Sequence, residues 1–164
     1  MKTAKNKKEL KLLFKDNYLS MIENACGSKM WANAFCLVKS KKQDVLDNGS
    51  VSCAYFVSSV LKLFDLIQRL HFTVLGTEKD IRESGWKEIK ISSKMPAGSI
   101  IIWEKELSID KNRKKEFHYH IGFYIGKEKA VSLWTYHNFP VIHHWTYNNK
   151  RKIIKAYWSS KIKN

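Results

Sequence analysis

The chain has 164 residues, 44% of them apolar, including six Trp, seven Tyr and eight Phe against only seven Gly and two Pro. That is enough apolar material for one substantial core, and it excludes a low-complexity, collagen-like or disordered chain. Thirty Lys and Arg against fifteen Asp and Glu leave a formal charge of +15, which favours anionic partners and says nothing about fold.

The N-terminus is basic (MKTAKNKK), but the segment after it, ELKLLFKDNYLS, is interrupted by charges and lacks the apolar stretch of a secretory signal. No run approaches the length of a membrane-spanning helix, so the expectation is a soluble, cytoplasmic chain; action on a cell wall would need another export route. From Glu9 to about Ala25, apolar residues at Leu12, Leu13, Leu19 and Ile22 predict a helix packed on the core. The stretch from Gly27 to Gln43, with Trp31, Phe35, Leu37 and Val38, fits either a short helix or irregular chain. Residues 1–48 form an N-terminal helical region of the single expected domain, and residues 50–158 its core.

Asp47, Asn48, Gly49 and Ser50 make a turn ahead of SCAYFVSSVLKLFDLIQRL, where Phe56, Val57, Val60, Leu61, Phe64 and Ile67 recur at helical spacing. Ser50 or Ser52 is placed to cap this helix, which puts Cys53 in its first turn. After Gly85 the pattern becomes short β-rich runs at Ser99–Trp103, Phe117–Ile125, Ala130–Thr135, Val141–Tyr147 and Ile153–Trp158. Gly126 to Lys129 reads as a hairpin connection, so the sheet is expected to be mostly antiparallel, in an α+β arrangement with the helices first.

Three cysteines, Cys26, Cys36 and Cys53, cannot all pair within one chain and lack CxxC spacing. Only Cys53 opens a helix, where unpaired N–H groups and the helix dipole are expected to lower a thiol pKa and to stabilise an oxyanion. Strand alternation puts His118, His120, Gly122 and Tyr124 on one face and Ile121, Phe123 and Ile125 on the other, so a histidine base is available on a strand. His143 and His144 are adjacent on a later strand, and at most one of them can face the same cleft. A metal site from His118, His120 and His143 would have no patterned acidic ligand, and no metal or other cofactor is expected.

The order SCAYFVSSVL, PAGSIIIW, HYHIGFYIG resembles the NlpC-type cell-wall cysteine hydrolases and the related CHAP amidases, families with a papain-like fold. The resemblance covers roughly Ser50 to Trp158. It implies Cys53 as nucleophile, His120 as base, and the third catalytic position, a polar residue about twelve beyond the histidine, at Ser132, with His137 and Asn138 as alternatives. Ser52 stands where the families usually carry an acid. Ser52, His118, Tyr124 and His143 are expected to line the substrate cleft. The implied reaction is hydrolysis of an amide or peptide bond through a thioester acyl-enzyme, in peptidoglycan peptides or a related substrate, with an anionic polymer as a further partner. The charge and the aromatics also permit a nucleic-acid-binding module, although no helix-turn-helix, zinc-finger or ribonucleoprotein motif is present and the lysines are scattered. A catalytically inactive member of the hydrolase fold is a third reading.

Overall fold

The computed structural model describes residues 10–109, 115–134 and 137–164. The basic clusters around Lys5 to Lys8 and Lys111 to Lys114 lie outside them, as do Glu9 and Thr135. Among the described residues three α-helices precede and pack on a mostly antiparallel sheet, an α+β arrangement: α1 (Phe14–Asn24), α2 (Cys53–Leu63) and α3 (Val74–Glu83). A hairpin of β1 (Phe35–Val38) and β2 (Lys41–Asp44) occupies the stretch whose type the sequence leaves open. The main sheet contains β3 (Lys87–Glu88), β4 (Ser99–Ile109), β5 (Lys115–Gly126), β6 (Lys129–Trp134), β7 (Phe139–His144) and β8 (Ile153–Trp158), in the order β3-β8-β4-β5-β6-β7. Lys127 and Glu128, both with positive φ, close the expected hairpin between β5 and β6. Among the described residues no helix is long and apolar enough to cross a membrane.

The sheet is buried on both faces, and its alternation sorts the core into two parts. Ile100, Ile102, Ile121, Phe123, Val131 and Leu133 pack against Tyr18 and Ile22 of α1 and Phe56, Val57, Val60 and Leu61 of α2. The opposite face gathers Ile101, Trp103, Tyr124, Ala130, Ile153 and Ala156 with Met95. His120, Gly122 and Ser132 belong to that second face.

Helix α2 is shorter than its periodicity suggests. Asp65 takes φ +51°, Leu66 N–H donates to Leu61 O, and the buried Leu61 and Leu66 side chains close the end as a Schellman motif does. The apolar residues at 66 and 67 therefore belong to a loop. Helix α3 has no counterpart among the sequence expectations, because its apolar face is thin, yet it carries a Thr73 cap on Gly76 N–H and a left-handed Gly85 after its end.

Asp80 of α3 fastens that loop. Its carboxylate accepts from Gln68 N–H, Arg69 N–H and Ser84 Oγ, and lies 2.8 Å from His71 Nε2. Burial alone would raise its pKa, but these bonds outweigh burial and hold it at about 2. A carboxylate depressed below its unfolded value stabilises the fold above that value and loses the contribution as pH falls through the folded one. The shift corresponds to about 2 kcal/mol at neutral pH. Urea denaturation should find Asp80→Asn less stable by about that amount at pH 7, with the gap closing between about pH 4 and about pH 2.

Candidate functional site

Cys53 is the first residue of α2, and no side chain caps that helix. Ser52 Oγ donates to Gly49 O and Ser50 Oγ to Asp47 Oδ2, so both expected caps are turned back into the preceding turn. The first bond within the helix is Phe56 N–H to Ser52 O, which leaves the earlier N–H groups of the first turn without helical acceptors. Those of Cys53 and Ala54, together with the N–H of Ile121 on β5, act to lower the pKa of the Cys53 thiol. The thiol thus lies against the β5 backbone at the residue that follows His120.

The expected drop in the thiol pKa is not found. Burial pushes the Cys53 thiol up, and this outweighs the lowering by the three N–H groups and the Arg151 charge. His120 is held well below the ordinary imidazole value, first by burial and then by the charges of Arg151 and His143. Both effects leave the thiol and the imidazole neutral at pH 7.

On β5 the side chain of His120 points away from the helices, above the buried Trp103 ring, whose centroid is 5.3 Å from its own. Trp103 pairs with His120 across β4 and β5, and β4 bulges immediately beyond, between Trp103 and Glu106. His120 Nε2 lies 2.9 Å from Ser132 Oγ. The approach of β6 depends on Gly122, where a Cβ would stand 2.6 Å from Val131 O, 2.8 Å from Ser132 Cβ and 3.0 Å from Trp103 Cη2. Two of these neighbours are a backbone atom and a Cβ, so a side chain at 122 would move the strand that carries Ser132.

The Ser132 hydroxyl is fully buried and has two further partners, His143 Nε2 at 2.8 Å and Tyr147 Oη at 2.9 Å. His143 comes from β7, and its ring stacks on that of Tyr147 with centroids 4.1 Å apart. Its other nitrogen, Nδ1, lies 2.8 Å from His144 O. Burial brings the His143 pKa down to about 4 and pushes that of Tyr147 up to about 12, the latter against the charge of Arg151.

Tyr147 enters from a turn in which Tyr147, Asn148 and Asn149 all have positive φ. Three consecutive non-glycine residues in the left-handed region are costly and need a local fastening. His144 supplies it: its Nδ1 accepts from Thr146 N–H and Asn148 N–H and lies 3.0 Å from Thr146 Oγ1. So His143 faces the site and His144 holds the turn, as alternation requires. Arg151, just beyond, donates to Glu104 O and His118 O and pairs with Glu106 at 3.0 Å. It also lines a groove of about 370 Å³ with Lys150, Lys152, Glu104 and Thr146.

The other expected site residues are placed differently. Tyr124 is fully buried, donating to Ser93 O and accepting from Glu128 N–H, and Ser52 is fully buried on Gly49 O, so neither offers a substrate any surface. His118 is exposed, 3.5 Å from the Glu116 carboxylate. The His137 ring stacks on Phe139, and Asn138 packs against Gly49, where a Cβ would come within 2.9 Å of its own. Among the described residues no group of three His, Cys, Asp or Glu is placed to hold a metal ion. Tyr147 and Arg151 are the site residues that sequence reasoning missed; the neighbouring Asn148 and Asn149, residues that tolerate positive φ, were the available signal for the turn that brings them in. Comparison with known families finds no matching family model, and comparison with curated proteins finds no match.

A raised thiol pKa means that thiolate accumulates only above the pH at which an ordinary cysteine ionises. The rate of iodoacetamide alkylation at Cys53, followed by peptide mass spectrometry, should therefore inflect at higher pH in the folded protein than in the urea-unfolded chain. An inflection below neutral pH would instead indicate a preformed thiolate–imidazolium pair.

Proposed function

We propose that the chain is a cysteine hydrolase of papain-like architecture that cleaves an amide or peptide bond through a thioester on Cys53. The observation that carries this reading is the meeting of three elements: a thiol in an uncapped first helical turn, set against the strand residue next to a half-buried histidine whose Nε2 is on Ser132.

With Nε2 engaged by Ser132, Nδ1 is the nitrogen of His120 left for proton transfer. As sulfur attacks the carbonyl carbon, the thiol proton passes to His120 Nδ1 and the carbonyl oxygen becomes an oxyanion. First-turn N–H groups of α2 are the nearest fixed donors for it. Collapse breaks the C–N bond, and His120 returns the proton to the departing amine. Water then attacks the thioester carbonyl and gives a proton to His120. The C–S bond breaks, and the proton goes back to sulfur. Because thiol and imidazole both start neutral, the proton moves during attack, and the barrier includes separating the charges.

The substrate class follows from the resemblance of the Cys53 and His120 segments to cell-wall hydrolases, and peptidoglycan stem peptides are the first candidates. Arg151, whose charge is felt by Cys53, His120 and Tyr147, suits a substrate carrying a carboxylate near the scissile bond, as such peptides do. The net charge of +15 suits an anionic polymer around it.

The test is hydrolysis of purified peptidoglycan and its soluble peptides, read by chromatography of the released fragments. Cys53→Ala should abolish release, and His120→Ala should slow it by roughly 10²–10⁴-fold. Release that survives Cys53→Ala, or no release from any peptidoglycan preparation by the wild type, would contradict the assignment.

A further inference from the structure

The hydrogen bonds around Ser132 can be assigned proton by proton, and the assignment reaches a residue beyond the three proposed for the hydrolase. A backbone carbonyl only accepts, so the 2.8 Å contact between His143 Nδ1 and His144 O requires the proton on Nδ1. Neutral His143 then has a bare lone pair on Nε2, and at 2.8 Å from Ser132 Oγ it must be the acceptor of the serine proton. A serine hydroxyl has one proton and two lone pairs. With its proton spent on His143, Ser132 can only accept from its other two partners, Tyr147 Oη–H at 2.9 Å and His120 Nε2–H at 2.9 Å. Each of the four groups then has a consistent role, and His120 is left with its proton on Nε2 and a bare Nδ1.

We propose that His143 is a positioning residue that, through Ser132, fixes the tautomer of His120. The proposal rests on the hydrolase reading for its functional meaning, because only a base needs its Nδ1 bare. It gives a neutral serine at the third position the directional property that it lacks alone. Without the acceptor at 143, the serine proton has Tyr147 Oη and His120 Nε2 as its remaining acceptors. Donation to His120 Nε2 transfers the imidazole proton to Nδ1, the nitrogen that has to receive the thiol proton. Tyr147 contributes a donor and closes the second lone pair, and the stacking of its ring on His143 keeps both rings in register.

The experiment is long-range proton–nitrogen correlation NMR on the full chain labelled with ¹⁵N-histidine, at pH 7, which distinguishes protonated from bare ring nitrogens. In the wild type His120 should carry its proton on Nε2 and His143 on Nδ1. In His143→Leu, the Nδ1–H form of His120 should appear, and hydrolysis should fall by roughly 10²-fold in kcat with KM little changed. In His143→Gln, whose amide oxygen can take the serine proton, the wild-type tautomer should return. A wild-type His120 protonated on Nδ1 overturns the proposal without any variant. So does an unchanged tautomer in a His143→Leu protein with native backbone amide signals, or a Gln variant that behaves like the Leu one. The tautomers are read without substrate: correct tautomers in a protein that releases nothing from peptidoglycan would overturn the hydrolase assignment and leave the relay standing.

Discussion

A buried hydroxyl with three short polar contacts is costly to build unless every proton has a place, because each unmatched donor or acceptor at such a depth costs about 1–3 kcal/mol. Ser132 meets that condition, with one acceptor and two donors arriving from β5, β7 and the turn after β7. Much of the sheet's second face is arranged around it. Gly122 has no side chain where β6 must come close, Trp103 fills the floor beneath the rings, and the left-handed turn at Tyr147 to Asn149 is held by His144 so that the tyrosine can reach inward.

The same sheet sets Cys53 and His120 on its two sides. Helix α2 packs on the face of Ile121 and Phe123, whereas His120 projects from the opposite one, so a nucleophile and a base on facing surfaces would be separated by the sheet. The Ile121 N–H of the strand backbone acts on the Cys53 thiol, while the β4 bulge sits directly beyond the Trp103–His120 pair. Desolvation there sets the electrostatics. It raises the thiol and lowers the imidazole, and the nearby guanidinium of Arg151 lowers both. Thiol and imidazole are therefore both neutral at pH 7.

Much of this was legible in the sequence, and the exceptions have physical causes. The alternation of HYHIGFYIG was enough to place His120 and Gly122 on one face and the core residues on the other, since a strand's period of two leaves little freedom. Ser132 was reached through the family resemblance alone, and the tight hairpin closed by Lys127 and Glu128 brings it within hydrogen-bond distance of His120. Alternation could not tell a buried structural tyrosine from a cleft residue, so Tyr124 was misplaced; its hydroxyl is consumed by Ser93 O and Glu128 N–H in a loop contact that no periodicity encodes. The end of α2 was misread because Asp65 adopts the left-handed conformation usually marked by glycine, while the apolar pattern runs on past it. Helix α3 was missed because polar Thr77, Glu78 and Asp80 occupy much of its buried side. The thiol pKa went the wrong way because the sequence displays the helix start but not the depth at which the sulfur is buried. Tyr147 and Arg151 join the site through a turn hinted at by Asn148 and Asn149 and through a guanidinium clamp on two backbone carbonyls, a long-range contact that no local pattern encodes.

The most direct measurement of covalent catalysis is acid-quench mass spectrometry after brief exposure to an activated acyl ester, with peptide mapping of the modified residue. A hydrolase working through Cys53 should accumulate one acyl group on the peptide containing Cys53, lose it on standing, and accumulate far less in His120→Ala. Acylation spread evenly over Cys26, Cys36 and surface lysines, unchanged by loss of His120, would contradict a nucleophilic Cys53 and with it the reading of this site as a hydrolase.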